Sequence, residues 1–281
     1  MKVVPLGING YLPMGGRQTS CFLVLTESAS FLLDAGTGAA RLAEPEIQGM
    51  IAGRGDLHVL LSHYHVDHTV GLYYAFTQWR SGALVIHAPV CPFIACNPEE
   101  AIGRLFSPPL NSYCLEDTRI RIDPVNGAEK VVAGHRLRFW SQQHPGGSVG
   151  IRIDDALAYV TDAVVKMEDV ERVRGVDVLL HELWMNEADA AKDEKERNRH
   201  ACFGPVAEFV KASRPGRVMP VHLYPFYSDA ELDGLAVRLG EVSGVEVILP
   251  REGEVIAVNK MVEAGGIEPP SASVSRQPLR A

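Results

Sequence analysis

The sequence contains no hydrophobic run that approaches the roughly 18 apolar residues of a membrane-spanning helix. Its first residues, from Met1 to Gly7, also lack the long apolar core of a secretory signal. These two absences favour a protein of the cytoplasm that has no membrane partner.

Cysteine is scarce, with five residues in 281, and no two of them form a CxxC pair. An odd number of widely spaced cysteines in a chain of this length argues against a disulfide framework. We expect reduced thiols, which agrees with a cytoplasmic location.

Positive charge is also in short supply, since 27 lysines and arginines face 35 aspartates and glutamates, for a net charge of −8. An acidic balance argues against a protein whose main role is to coat nucleic acid. It agrees with a site that collects divalent cations, although solubility alone is a sufficient reason for it.

Short apolar runs bounded by Gly, Pro, Asp or Asn recur along the chain and predict β-strands. Helices are predicted at 66–79, 205–212 and 229–239, the last with Gly240 after its end. Strands with helices outside them indicate an α/β (α+β) fold in which two sheets pack together between helices. The predicted strands are 21–25, 31–33, 58–61, 83–86, 137–140, 149–153, 157–161, 177–180, 217–221, 245–249 and 254–258.

No linker rich in Pro, Gly or Ser interrupts the chain before its last residues. From Met261 onward the composition changes, and core-forming residues become few. We therefore predict one domain over residues 1–260 and a flexible C-terminal tail over residues 261–281.

The strongest local signal is an apolar strand that runs directly into an HxHxDH motif. Alternate residues of an extended segment point the same way, so His63 and His65 can reach one metal ion together. Asp67 and His68 begin the following helix and can face a second metal nearby. Imidazole and carboxylate ligands suit zinc, iron or manganese better than calcium.

Further ligand-type residues follow other apolar runs. His144, Asp162 and His222 each come after a predicted strand, and a carboxylate such as Asp162 can bridge two cations. Each of these residues alone is as well explained by a loop or a helix cap. Their shared position after strands predicts that they complete a two-metal centre.

This ordered set resembles the ligands of the metallo-β-lactamase superfamily. The resemblance covers roughly residues 1–258 and implies an αββα sandwich of two mixed β-sheets flanked by helices. It implies two divalent metal ions, for which we expect Zn²⁺, with Mn²⁺ or Fe²⁺ as alternatives. Asp34 matches an early aspartate of the family that orients a metal-ligand segment. The implied metal ligands are His63, His65, Asp67, His68, His144, Asp162 and His222.

Two departures from the family narrow the chemistry. Flavodiiron proteins usually carry Glu where His65 stands, and zinc β-lactamases commonly use Cys where Asp162 stands. Reduction of oxygen and hydrolysis of antibiotics are therefore disfavoured. The reaction that remains as an interpretation is hydrolysis by a hydroxide held between two cations.

A second pattern resembles ribonuclease Z and related phosphodiesterases. His181-Glu182 ends a predicted strand, and His200 precedes a predicted helix. The resemblance implies that Glu182 orients His200, and that His200 protonates the departing oxygen. Ala201-Cys202 stands where ribonuclease Z typically has Ser-Thr. Despite this departure, we predict Glu182 and His200 as catalytic residues, together with Asp67 of the HxHxDH segment.

The substrate is left open between two classes of ester. Ribonuclease Z enzymes that mature tRNA often carry a long arm between the middle His and the bridging Asp, whereas His144 and Asp162 are close in sequence here. Extended tRNA is therefore disfavoured as a partner, and a small-molecule or short nucleotide phosphodiester is expected. The alternatives are a thioester or lactone hydrolase similar to glyoxalase II, and a non-catalytic scaffold that would be expected to have lost ligands. A homodimer is left open.

Overall fold

The computed structural model describes residues 1–258. The predicted tail over 261–281, and with it the end of the predicted domain at 260, lies outside the described residues, so the domain boundary stays a prediction. Within residues 1–258, no helix is both long enough and apolar enough to span a membrane.

Two seven-stranded mixed sheets form the core of the fold. The first has the order β14-β1-β2-β3-β4-β5-β6, and the second has the order β13-β12-β11-β10-β9-β8-β7. The strands are β1 (Lys2–Gly7), β2 (Cys21–Leu25), β3 (Ser30–Leu33), β4 (Leu57–Leu60), β5 (Leu84–Pro89), β6 (Ile120–Val125), β7 (Glu129–Val132), β8 (His135–Gln142), β9 (Ser148–Ile153), β10 (Leu157–Val160), β11 (Val178–Glu182), β12 (Arg217–Val221), β13 (Glu246–Val247) and β14 (Ile256–Ala257).

Helices cover the outer faces of both sheets, so the predicted αββα sandwich is confirmed. The α-helices are α1 (Pro45–Ile51), α2 (Val66–Thr69), α3 (Leu72–Gln78), α4 (Pro98–Leu105), α5 (Val170–Val173), α6 (Glu187–Ala190), α7 (Glu194–Arg197), α8 (Phe203–Ser213) and α9 (Asp229–Ser243). Short 3₁₀ helices lie at Thr37–Ala43, Leu115–Asp117 and Met167–Asp169.

Strand β2 shows why its sheet is buried on both faces. Phe22 and Val24 belong to the core between the two sheets, whereas Cys21, Leu23 and Leu25 belong to the core under the helices. Successive side chains of a strand point to opposite faces, so a strand covered on both faces is apolar at every position. The rings of Phe22 and Tyr159 meet across the sandwich at 5.8 Å.

Two predicted helices differ in the structure. The segment predicted as one helix over 66–79 is divided into α2 and α3, because the amide of Gly71 donates to the carbonyl of Ala35 instead of continuing the first helix. Helix α9 continues through Gly240 and ends at Gly244, which adopts the left-handed conformation of a C-cap. Its start at Ser228 carries a capping box with Glu231.

Three strands were missed in the sequence. Strand β1 lies in the opening segment, and β6 and β7 combine charged with apolar residues at the outer edges of the two sheets. Their side chains are only partly buried in β6 and β7, so the apolar runs that marked the other strands are interrupted there.

Candidate metal centre

One edge of the sandwich collects the ends of five strands. Strands β10, β11 and β12 are parallel, so their carboxyl ends lie side by side and present Asp162, Glu182 and His222 at the same edge. The HxHxDH segment follows β4 in the other sheet. His144 lies in the turn between β8 and β9, and this hairpin is tied to the first sheet where the amide of Val149 donates to the carbonyl of Ser62.

All seven sequence-predicted metal ligands converge at this edge. On one side, a ring nitrogen from each of His63, His65 and His144 lies within 4.8 Å of the others. On the other side, one ligand atom from each of Asp67, His68 and His222 likewise lies within 4.8 Å of the others.

Asp162 lies between the two groups. Its Oδ1 is 3.4 Å from Nε2 of His144, whereas its Oδ2 is 2.8 Å from Nε2 of His68 and 2.9 Å from Nε2 of His222. The carboxylate therefore turns one oxygen to each side, which is the placement that a bridging ligand requires.

Four inner atoms of the cluster lack hydrogen bonds. Among the described residues, Nε2 of His63, His68 and His222 and Oδ2 of Asp162 are buried without a hydrogen-bond partner, because the close approaches between these atoms do not have hydrogen-bond geometry. Unpaired buried polar atoms are costly and rare. Two ligands at about 2.1 Å from a tetrahedral zinc ion lie roughly 3.4 Å apart, close to the separations between the inner atoms. The residues present therefore fit divalent metal ions.

The outer nitrogens of four histidines are each held by a hydrogen-bonding group. An acceptor on Nδ1 fixes the tautomer and directs the Nε2 lone pair inward, as the outer contacts of metal-binding histidines generally do. The pairs are His63 with Oγ of Ser62 at 2.9 Å, His68 with Oδ2 of Asp34 at 2.8 Å, His144 with the carbonyl of Arg199 at 3.1 Å, and His222 with Oε1 of Glu182 at 3.0 Å.

Asp34 has the position that the family resemblance implied for it. Its carboxylate is fully buried, and besides His68 it accepts hydrogen bonds from the amide and hydroxyl of Ser62 and the hydroxyl of Tyr159. It thereby fixes the strand end that carries the HxHxDH segment. Ser62 and Tyr159 were not identified from the sequence, since neither carries a motif.

Three residues of the site adopt left-handed backbone conformations. Asp34, Asp162 and His222 have φ angles of 53°, 45° and 48°. Non-glycine residues reach this region at a cost of roughly 1–3 kcal/mol, and such strain is found most often at functional sites. Here it turns each side chain away from its strand and into the cluster.

The electrostatics of the cluster follow from burial and from its own charges. Burial lowers the pKa of His63, of His65 and of His144, which favours the neutral imidazole that binds metal. Burial raises the pKa of Asp162, but its close interactions with His222 and His68 outweigh burial and hold that pKa well below its usual range.

Glu182 connects the metal cluster to His200. Its Oε1 accepts from Nδ1 of His200 at 2.7 Å and from Nδ1 of His222 at 3.0 Å, and its Oε2 accepts from the amides of Ala163 and Ala201 at 3.0 Å. Burial raises the pKa of Glu182, but the charge of His200 and these hydrogen bonds lower it to about 2. The carboxylate is therefore ionised and fully satisfied.

His200 lies beside the cluster with its ring at an intermediate depth. Burial lowers its pKa, but the charge of Glu182 and their hydrogen bond outweigh burial, so that the pKa of His200 lies above its ordinary value. The structure thus brings together the two residues for which the sequence predicted a proton-donor pair.

The contacts of two residues at the site, Trp184 and Tyr11, could not be found from motifs. Trp184 stacks on the ring of His200 at 4.4 Å and on the ring of His222 at 5.2 Å. The amide of Tyr11 donates to Oδ2 of Asp67 at 2.9 Å. The only signal for Trp184 was its place two residues after Glu182, and core packing explained it equally well.

His58, His87 and His135 lie away from the metal cluster. His58 contacts His87 at 3.1 Å, and His135 contacts Asp154 at 2.7 Å. None of the three lines the cavity at the metal cluster.

A cavity of about 520 Å³ opens over the cluster. Besides the ligands it is lined by aromatic residues of the strand ends and by charged residues of the segment around α7. These are Tyr11, Trp184, Tyr224, Phe226, Asp193, Lys195, Glu196 and Arg199. Its volume is in the range of sites for small ligands.

Known proteins resemble this chain along nearly its whole length. The chain is 20% identical to the Ribonuclease Z of Bacteroides thetaiotaomicron over an alignment that covers 94% of this chain and 97% of the relative. YhfI of Bacillus subtilis, a protein of the metallo-beta-lactamase fold, superposes with a TM-score of 0.69 at 20% identity, covering 90% of this chain and 97% of YhfI.

The short form of human tRNase Z superposes with a TM-score of 0.66 at 19% identity, covering 92% of this chain and all of that protein. At these identities the superpositions show the fold alone. The sequence model of the metallo-beta-lactamase superfamily matches residues 14–197, which is more than half of the chain. The chain therefore belongs to the metallo-beta-lactamase superfamily.

Proposed function

We propose that this protein is a dinuclear metal-dependent hydrolase that cleaves a small phosphodiester. The observation that carries the proposal is the hydrogen bond of 2.7 Å between Glu182 and His200, which lies beside two groups of ligand-type side chains. Membership of a hydrolase superfamily and the similarity to a Ribonuclease Z support it.

The residues proposed to hold the metals are those of the two groups described above. His63, His65 and His144 would hold one ion, Asp67, His68 and His222 would hold the other, and Asp162 would bridge them. Once bound, two divalent cations would supply a water molecule of lowered pKa and positive charge for the phosphoryl oxygens. The nitrogen and oxygen ligand set favours zinc, with manganese or iron as alternatives.

His200 has the position of a general acid. With Nδ1 held by Glu182, the ring presents Nε2 on its other side, where the residue lines the cavity. Hydrolysis forms a bond between a water oxygen and phosphorus and breaks the ester P–O bond. The proton on Nε2 of His200 passes to the departing oxygen, which leaves as an alcohol, and the proton lost by water goes to solvent.

The Glu182–His200 pair is more useful for cleaving a phosphodiester than for cleaving a thioester. A thiol has a pKa of about 8.5 and leaves readily as the anion, so thioester hydrolysis has little need of a proton donor. An alkoxide leaves poorly without one. The Glu182–His200 contact therefore favours the phosphodiester over the thioester alternative.

The size of the cavity and the connection between His144 and Asp162 favour a small substrate. Between these residues the chain forms only the short strands β9 and β10, with no extended arm. The side chains around α7 carry both signs of charge, so they form no continuous basic surface for RNA.

A panel of substrates tests the proposal on the metal-loaded protein. We expect turnover of bis(4-nitrophenyl) phosphate and little turnover of an acyl-glutathione. The Asp162→Ala variant should lose the activity together with the metal, as measured by elemental analysis. Efficient hydrolysis of the acyl-glutathione without turnover of the diester would reject the phosphodiesterase assignment.

A further inference from the structure

A second carboxylate, that of Glu196, lies at the other nitrogen of His200. Its Oε2 is 3.7 Å from Nε2 of His200, the atom opposite the one bound by Glu182. At this distance the two groups make no direct hydrogen bond. A donor and an acceptor are thus placed side by side at the point where the leaving group would depart.

Trp184 fixes the position of this carboxylate. The indole Nε1 donates to Oε2 of Glu196 at 3.1 Å, while the indole ring stacks on His200 at 4.4 Å. Trp184 is 3% exposed and is therefore packed closely by its neighbours. The side chain of Glu196 retains 24% of its exposure and lines the cavity, and within residues 1–258 no group donates to its Oε1.

The surroundings of Glu196 suit a ring-shaped alcohol. The ring of Tyr224 contacts that of Trp184 edge to face at 5.1 Å. The ring of Phe226 lies 5.2 Å from that of Tyr224, and Phe226 is 55% exposed. Aromatic faces next to a carboxylate offer both stacking for a flat or cyclic group and an acceptor for its hydroxyls.

We infer that Glu196 is a specificity-determining residue, which selects a phosphodiester whose leaving alcohol carries a hydroxyl on the carbon next to the departing oxygen. This inference rests on the proposed phosphodiesterase function. Nε2 of His200 serves the departing oxygen, and Glu196 accepts a hydrogen bond from the neighbouring hydroxyl. Two adjacent oxygens of one ligand, as in a ribose, match a donor and an acceptor that lie 3.7 Å apart.

The test compares two dinucleoside monophosphates that differ only in the 2′-hydroxyl of the nucleoside released as its 3′-alcohol. Chromatography identifies a nucleoside and a 5′-nucleotide as the products. A hydrogen bond to a charged group is worth about 1.5–3 kcal/mol, so kcat/KM of the wild type should favour the ribose substrate by about ten- to a hundredfold.

Three variants locate the source of this preference. In Glu196→Ala the preference should fall to about twofold or less. In Trp184→Phe, which keeps an aromatic ring but loses the indole donor, it should fall in part. Glu194→Ala is the matched control, because Glu194 lies on the same short helix with its side chain 79% exposed and does not line the cavity. It should keep the full preference.

Calorimetry with adenosine and 2′-deoxyadenosine provides a readout that does not depend on turnover. The wild type should bind adenosine more tightly, and Glu196→Ala should bind both equally. An unchanged preference in Glu196→Ala, or release of the nucleoside as its 5′-alcohol, would overturn the inference while leaving the phosphodiesterase in place. Absence of turnover with bis(4-nitrophenyl) phosphate would reject both.

Discussion

The carboxylate of Glu182 accepts a hydrogen bond of 2.7 Å from Nδ1 of His200, and the same oxygen accepts one of 3.0 Å from His222. One buried side chain therefore positions both a proposed proton donor and a proposed metal ligand. A change at His200 should therefore affect proton donation alone, whereas a change at Glu182 should affect both proton donation and metal binding.

Replacing His200 by alanine should remove the proton donor and leave the metal cluster intact. We expect kcat on an alkyl phosphodiester to fall by about 10²–10⁴, because that is the usual contribution of a general acid. The fall on bis(4-nitrophenyl) phosphate should be much smaller, since nitrophenolate leaves without a proton. Steady-state kinetics on both substrates measure the difference, and equal losses would count against this role of His200.

Glu182→Gln should damage both functions. Its two oxygens accept from four donors, and an amide can present only one oxygen to them, so two buried donors would face an NH₂ group. We expect a loss of about 2–4 kcal/mol in the free energy of unfolding, measured with urea. Metal affinity should fall by about 10- to 100-fold through His222. A variant with normal stability and metal content would contradict the positioning role.

Removal of metal by a chelator should destabilise the wild type. An ion that binds only the folded state stabilises it by RT ln(1 + [L]/Kd), which is about 2.7 kcal/mol at a hundredfold excess over Kd. The melting temperature should therefore drop on chelation and recover on addition of Zn²⁺. Asp162→Ala should show little of this response, and an identical response in that variant would place the bound metal elsewhere.

Gly10→Ala should displace His222. A Cβ atom at this position would lie 2.3 Å from Cε1 of the His222 ring, well inside contact distance. We expect lower metal content and lower kcat, measured by elemental analysis and kinetics. Gly49→Ala is the control, since it lies inside helix α1 with open space around it and should stabilise the protein by about 0.5–1 kcal/mol. Full metal content in Gly10→Ala would refute the steric argument.

Glu252 should make stability depend on pH. Burial raises the pKa of this carboxyl to about 7, although the amide of Gln18 and the charge of Arg41 oppose the shift. The folded state therefore holds the proton more tightly than the unfolded chain. The resulting stabilisation is fully present below the unfolded pKa of about 4.3 and is lost as the pH rises through about 7.

Melting temperatures of the wild type and Glu252→Gln across pH 4–8 measure this contribution. Their difference should change in that interval, with the wild type losing stability relative to the variant as the pH increases. Glu254→Gln, at an exposed position two residues away, should follow the wild type. A constant difference between wild type and Glu252→Gln would refute the shift.

Much of the fold and of the site could be predicted from the sequence because the signals are local. The HxHxDH segment places four ligand-type residues within six positions, and apolar runs before Asp162, Glu182 and His222 place each of these at the end of a strand. The parallel strands β10, β11 and β12 bring Asp162, Glu182 and His222 to one edge, but only the packing of the two sheets brings the HxHxDH segment and His144 to the same place. The prediction of one uninterrupted helix over 66–79 was wrong, because the bond from Gly71 to Ala35 is a long-range contact.

The sequence by itself determined the layered fold and the ligand-type residues that follow its strands, and its resemblance to ribonuclease Z implied the pairing of Glu182 with His200. Only the tertiary structure decided that Glu182 also anchors His222, that Trp184 stacks on two histidines and holds Glu196, and that Tyr11 reaches Asp67. Such contacts join strand ends and loops that are far apart in the chain. They depend on how the two sheets pack and on which ring nitrogen faces inward, and neither leaves a periodic signal in the sequence.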